Sequence, residues 1–172
     1  MRSSFLWIYK LLTCWLPESR GFGWKNFLLR CAGAKIGRNV RIYSSVQIVG
    51  TGSLEIGDDV HLGPQVLLSI AAPASVVIGS HVDIAPGVAI LTGSHEIDPA
   101  GEHLAGKGTT ASVLIGSGSW LGARSVILSG VELPEKTLVA AGAVVGKSPT
   151  ESHCLLAGVP ACVKRNYRKG AL

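Results

Sequence analysis

Residues 115–146 read IGSGSW LGARSV ILSGVE LPEKTL VAAGAV VG, and their spacing decides the fold. Ile115, Leu121, Ile127, Leu133, Val139 and Val145 recur every six residues without a slip. The residue four places after each of the first five is small or β-branched: Ser119, Ser125, Val131, Thr137 and Ala143. A beat of six fits neither the helical period of about 3.6 residues nor the alternation by two of a strand between distant turns. It requires a short strand and a corner at every step. Three such steps close one triangular coil, with the aliphatics stacked inside and the small residues at the corners. Successive coils then pair as parallel strands about 4.8 Å apart. No coil can bury its own faces, so the stack is the folding unit. A β-sandwich with Gly turns would show period two and irregular turn spacing, which six consecutive matches oppose.

The same beat runs back towards the N-terminus. It passes through Ile36, Ile42 and Ile48, then Ile56, Leu62 and Leu68, then Ile78, Ile84 and Ile90. Val40, Val46, Val60, Val66, Val82 and Val88 hold the fourth place after the aliphatic. Gly37, Gly57, Gly63, Gly79, Gly116, Gly122 and Gly146 follow the aliphatic directly, where a corner dihedral would suit Gly. The two longest breaks in the pattern matter most. Residues 69–77 slip the register, and residues 91–114 form an excursion. A long excursion from a rigid scaffold is a place where function concentrates. Residues 1–33 lack the beat. FLWIYKLLTCWL at 5–16 reads as a helix stopped near Pro17, and WKNFLLRC at 24–31 as a second short helix. The chain thus divides into a helical cap segment at 1–33, a β-helix with a C-terminal loop at 34–165 and a basic tail at 166–172. The cap would hide the strand edges of the open end.

Composition narrows the function. Hydrophobic residues make up 47% of the 172 and charged residues 16%, which excludes disorder driven by charge. The net charge of +5 resides in the two ends: Arg2, Lys10, Arg20, Lys25 and Arg30 at one, Lys164, Arg165, Arg168 and Lys169 at the other. No helix-turn-helix, zinc-finger or RNP pattern accompanies it, so nucleic acid is not the expected partner. The four cysteines form no C-x-x-C pair, no His stands at finger spacing, and a reducing cytoplasm is expected. The apolar run 5–16 is too short to span a bilayer, and Lys10 inside it with no A-x-A site after it argues against a signal peptide. The same run, with Trp7, Trp15 and later Trp24 beside basic residues, is a candidate for peripheral contact with the inner membrane face.

Four segments carry a resemblance to a known family: Thr92-Gly93-Ser94-His95-Glu96-Ile97-Asp98; Ile115-Gly116 through Trp120-Leu121-Gly122-Ala123; Ala141-Gly142-Ala143-Val144-Val145-Gly146-Lys147; and Ala157-Gly158-Val159-Pro160-Ala161. Together and in this order, the chain from about 30 to 166 resembles the hexapeptide-repeat acyltransferases. Within them it looks like the maltose, galactoside and nodulation-factor O-acetyltransferases and their relatives in polysaccharide biosynthesis. The resemblance implies an all-β, left-handed parallel β-helix, assembled as a homotrimer with active sites between subunits. The extended loop at about 92–111 would reach across to a neighbour. The co-substrate would be acetyl-CoA, with no metal. The acceptor would be a hydroxyl of a saccharide or lipid-linked saccharide, in cell-envelope or exopolysaccharide biosynthesis. An amine of an amino sugar, or serine, is the alternative acceptor, and a non-catalytic scaffold is the alternative of another class.

The resemblance also distributes roles. His95 is the expected catalytic base, since a neutral imidazole can take a hydroxyl proton near neutral pH. Glu96 and Asp98 would orient the ring or hold acceptor hydroxyls, and Trp120 would face a sugar ring or the pantetheine arm. Ala123 would supply an oxyanion-binding N–H, with Ala141 and Gly142 along the pantetheine. Lys147, Lys164 and Arg165 would meet the CoA phosphates. Cys162 stands where several relatives carry a basic residue, which leaves the phosphate contact open. His61, His81, His103 and His153 do not form the closely spaced metal-binding pair of the fold's carbonic-anhydrase branch.

Overall fold

The computed structural model describes Met1 and residues 3–168, Ser3 by its backbone alone. Residues 169–172 of the basic tail, Lys169 among them, therefore lie outside the described residues.

The hexapeptide aliphatics do what their period requires. Ile36, Ile56, Ile78, Ile115 and Leu133 stack in register on the first face. Ile42, Leu62, Ile84, Leu121 and Val139 do so on the second, and Ile48, Leu68, Ile90, Ile127 and Val145 on the third. All are buried except the half-buried Ile48, which leaves one continuous core through the stack. Each such side chain removed from water contributes about 2 kcal/mol, spread evenly along the axis rather than gathered at a centre. The result is about five coils with three parallel faces. The strands are two to four residues long on the first face, for example Ser53–Ile56, because a corner follows almost at once.

The corners correct one expectation about glycine. Positive φ falls three places after the aliphatic, not one. On the edge between the first and second faces these residues are Asn39, Asp59, His81, Gly118 and Lys136. On the edge between the second and third faces they are Gln65, Gly87, Arg124 and Gly142. The glycines directly after the aliphatic serve the stacking instead. A Cβ on Gly37, Gly57, Gly79, Gly116 or Gly122 would stand 2.5–2.8 Å from atoms of the coil above. Asp58, Ser80 and Ser117 tie the first edge together. Their side-chain oxygens accept the N–H of Arg38, Asp58 and Ser80 at 2.7, 3.0 and 3.2 Å.

Both ends of the stack are closed. Helix α1, Ser3–Thr13, packs on helix α2, Phe22–Cys31, and α2 packs on the first coil. Leu6, Tyr9 and Leu29 join the core from these helices. The buried Lys25 ammonium donates to the carbonyls of Glu18 and Ile42 at 3.1 and 3.0 Å, and Asn26 donates to Val40 O at 2.8 Å. At the far end Cys154–Gly158 adds in parallel to the second face, and Ala161–Asn166 turns back antiparallel as its edge. The excursion predicted at about 92–111 is an antiparallel hairpin of Gly93–Ile97 and Ala105–Thr110. It leaves the third face after Ala89–Leu91 and returns into the first at Val113–Ile115.

Candidate active site

The hairpin is anchored at its root and free along its length. Thr92 is fully buried. Its hydroxyl accepts the Ala71 N–H at 2.8 Å and lies 3.3 Å from the Ser69 carbonyl, to which it donates. The Thr92 carbonyl accepts the Ser129 hydroxyl at 2.8 Å, and the Ala111 N–H reaches both Thr92 O and Ser129 Oγ at 3.0 Å. Entry and exit of the arm are thus clamped together by Thr92 and Ser129. Beyond the clamp every residue from Gly93 to Ile97 is exposed, and the arm's strands pair only with each other. Ile97 is 78% and Leu104 66% exposed, so the arm presents apolar side chains with nothing from its own chain to cover them.

His95 pairs with Gly108 across the hairpin, and its Nδ1 lies 2.9 Å from the carbonyl oxygen of Gly106. A carbonyl only accepts, so this contact places the proton on Nδ1 and leaves the Nε2 lone pair free. A register irregularity at Glu96 lets the strands come back together at Ile97–Ala105. Gly106 fits there because a Cβ would lie 2.8 Å from that of Asp98. Of the two carboxylates expected near the base, Asp98 is engaged within the arm. Asp98 Oδ1 accepts the N–H groups of Ala100 and Gly101 at 3.2 and 3.0 Å and so shapes the hairpin tip. Glu96 and Glu102 are exposed on the arm. The ring is oriented by a backbone carbonyl, a partner that carries no sequence signature.

Ala123, Ala141 and Gly142 come together at the edge between the second and third faces. The Ala123 carbonyl accepts the Gly142 N–H at 2.9 Å, and a Cβ on Gly122 would lie 2.5 Å from the Ala141 nitrogen. The N–H groups of Ala123 and Ala141 find no hydrogen-bond partner among the described residues. In the two coils below, Pro64 and Pro86 occupy the same corner, with carbonyls that accept the Gly87 and Arg124 N–H groups in the same way. Proline has no N–H. Free amide donors therefore begin on this edge at Ala123 and continue at Ala141. That change from Pro to Ala is the sequence signal that a hydrophobicity pattern passes over. Gly142 holds φ +70° with open space around it, so it is the backbone and not crowding that selects Gly there.

Trp120 stands one strand before this corner, on the outside of the second face, 56% exposed. Its register neighbours are Asp83 below and Leu138 above. Below Asp83 come His61 and Arg41 in the same outward column. His61 Nδ1 is 3.9 Å from Asp83, and its ring meets Tyr43 at 5.3 Å between centroids. Burial, with help from Arg41 and against Asp83, lowers the His61 pKa from its ordinary value. His81 instead sits on the first edge near Asp59, and His153 lies at the last corner on that edge. Among the described residues no group of His, Cys, Asp and Glu is arranged to hold a metal.

The basic residues assigned to phosphates do not share one place. Lys147 follows Val144–Val145 at the next edge round from Ala141, and Lys164 and Arg165 lie exposed on Ala161–Asn166. The Arg165 guanidinium lies 5.6 Å from the Tyr167 ring centroid. Within one chain the arm leaves the edge between the third and first faces, whereas Ala123 and Ala141 lie on the edge between the second and third. The chain by itself places the imidazole and the free amides at different edges.

Comparison with known proteins agrees with this architecture. The colanic acid biosynthesis acetyltransferase WcaF of Escherichia coli K12 is 33% identical over 162 residues, 93% of this chain and 85% of its own. A galactoside O-acetyltransferase of Lactococcus lactis is 30% identical over 115 residues, 63% of this chain and 54% of its own. Among solved structures, a hexapeptide-repeat acetyltransferase of Vibrio cholerae, complexed with acetyl-CoA, superposes with TM-score 0.67 at 24% identity, over 95% of this chain and 85% of its own. AntD, an N-acyltransferase of Bacillus cereus complexed with dTDP and 3-hydroxybutyryl-CoA, gives 0.68 at 20% identity, over 90% and 93%. These likenesses identify the coil as a left-handed β-helix. No protein-family model matches the chain.

Proposed function

Because the chain belongs to the hexapeptide-repeat acetyltransferases, we propose that it moves an acetyl group from acetyl-CoA to a saccharide hydroxyl in cell-envelope or exopolysaccharide assembly. The observation that carries the chemistry is the contact between His95 Nδ1 and the Gly106 carbonyl at 2.9 Å, which leaves Nε2 as a base. WcaF, named for colanic acid biosynthesis, and the galactoside O-acetyltransferase support the choice of a saccharide and of oxygen.

In this reading Nε2 removes the acceptor hydroxyl proton as its oxygen attacks the thioester carbonyl. The carbonyl oxygen gains charge and accepts the Ala123 N–H, a donor with no hydrogen-bond partner among the described residues. Collapse breaks the C–S bond, and the imidazolium returns its proton to the departing CoA sulfur. The Ala141 N–H lies one coil along the same edge, where it would meet the pantetheine amides. Lys147, Lys164 and Arg165 would meet the CoA phosphates from different sides, and Gly142 would let the cofactor chain approach closely. Trp120 would stack on the sugar ring, with Asp83 beneath it as a hydroxyl acceptor and Glu96 contributed by the arm. The different edges of His95 and Ala123 are reconciled by a homotrimer, in which the arm of one subunit crosses to the free amides of the next. The exposed Ile97 and Leu104 would become buried there. The reading keeps the protein in the cytoplasm, with residues 5–16 at the inner membrane face, where a lipid-linked saccharide is presented.

The test is release of CoA thiol from acetyl-CoA with saccharides, amino sugars and serine as acceptors. Turnover with a saccharide should fall about 10²–10⁴-fold in His95→Ala, with CoA affinity unchanged by calorimetry. Undiminished turnover in His95→Ala would remove the proposed base. Activity with amino sugars alone would move the acceptor atom from oxygen to nitrogen.

A further inference from the structure

The N-terminal helices leave an apolar surface that the β-helix does not use. Helix α1 buries Leu6, Tyr9 and Thr13, one inner stripe. Its other sides carry Phe5, Trp7, Ile8, Leu11 and Leu12, all at least 36% exposed, and Trp15 just beyond the helix is 86% exposed. Trp24 and Phe27 extend the surface on α2 as a stacked, exposed pair with centroids 5.6 Å apart. A helix apolar on its inner and outer sides lacks a partner in water.

Charge says what the partner is. Glu18 is the only carboxylate before Glu55. It is exposed but held against the first coil, where its Oε2 accepts the Ser45 N–H and hydroxyl at 3.1 and 3.0 Å. Lys10 and Arg20 are exposed in the same segment, with no ion pair among the described residues. Indoles and phenyl rings beside unopposed cations match the boundary of an anionic bilayer, where the rings lie below the headgroups and the lysine stem snorkels. The same face of a second copy would set cation against cation, with Glu18, already engaged by Ser45, as the one carboxylate of the segment. No helix among the described residues is long and apolar enough to cross a membrane, so the fitting geometry is one lying in the surface.

We infer that the α1–α2 surface built from Trp7, Leu11, Trp15, Trp24, Lys10 and Arg20 docks the protein on anionic phospholipid. The inference deepens the inner-face part of the proposed function. Its test measures binding without turnover, so its failure leaves acetyl transfer standing. The full chain is floated with vesicles of phosphatidylcholine containing about a third phosphatidylglycerol, and with phosphatidylcholine alone, while tryptophan emission is followed. The protein should float with the anionic vesicles, its emission should shift to the blue, and added salt should weaken the binding. Trp7→Ser/Trp15→Ser should bind about tenfold more weakly on both lipids, and Lys10→Glu/Arg20→Glu about tenfold more weakly on the anionic lipid only. Circular dichroism and particle size should match wild type in both. Absence of flotation at low salt, or tryptophan variants that bind like wild type, would overturn the inference. Variants that change the oligomeric state would also overturn it, assigning the face to a subunit contact.

Discussion

Under the proposed mechanism a single N–H at Ala123 would separate a structural corner from a catalytic one. Pro64 and Pro86 show that this corner accepts proline without disturbing the coil. Ala123→Pro should therefore fold, with a thermal midpoint close to wild type, yet lose about 10²–10³-fold in kcat with the oxyanion donor gone. Ala141→Pro removes a donor that the proposed function assigns to bound CoA. It should weaken CoA binding about three- to tenfold in calorimetry, the net worth of one neutral hydrogen bond. Thr92 acts at a distance from the chemistry, as a positioning residue. Thr92→Val keeps the volume but strands the buried Ala71 N–H and loosens the root of the arm. The expected loss is about tenfold in kcat with CoA affinity intact, restored by Thr92→Ser. Loss of CoA affinity in parallel would point to general disruption instead of a misplaced imidazole.

At the scale of the coil and the arm, steric closeness explains residues that periodicity alone misassigns. A Cβ at Gly116 would stand 2.5 Å from the Pro134 carbonyl carbon and the Glu135 nitrogen, both rigid backbone. Gly116→Ala should cost about 2 kcal/mol or more, read as a lower denaturant midpoint. The same substitution at Gly108, where nothing lies within 4 Å, should be nearly silent. The three faces and the core were legible from the spacing of Ile115, Leu121 and their repeats, because an interior one side chain wide forces a strict period. The arm was legible as an interruption of that period. What it does was not, for its ordering contacts run through the Gly106, Ser69 and Thr92 carbonyls, and every residue has a carbonyl. His95 was found through its resemblance to a family motif. Thr92 and Ser129 were missed as a clamp because they stand 37 residues apart and meet only when coils stack. Ala123 and Ala141 were singled out through the same resemblance; that their amides are free shows only against Pro64 and Pro86, a comparison that requires knowing which corners are equivalent.

At the scale of the whole molecule, stability and activity draw on different surfaces. Burial holds the folded His61 pKa below its ordinary 6.5. The unfolded chain then binds this proton more readily than the folded one, so stability falls as pH drops through 6.5 and below. His61→Gln should flatten that acid-side decline of the thermal midpoint, and an unchanged slope would show that other groups set it. Under the proposed mechanism activity would belong to the assembly, for one chain places His95 and the free amides at different edges. Mixing two inactive chains tests this most directly. His95→Ala retains the amide and Ala123→Pro retains the base, so a head-to-tail junction between them joins one intact His95 to one intact Ala123 in one order and both lesions in the other. Co-expressed trimers purified with both chains should recover about a third of wild-type thiol release, because either mixed composition has one junction in three that pairs the two intact halves. Mixed trimers no more active than either parent would contradict a site shared between subunits.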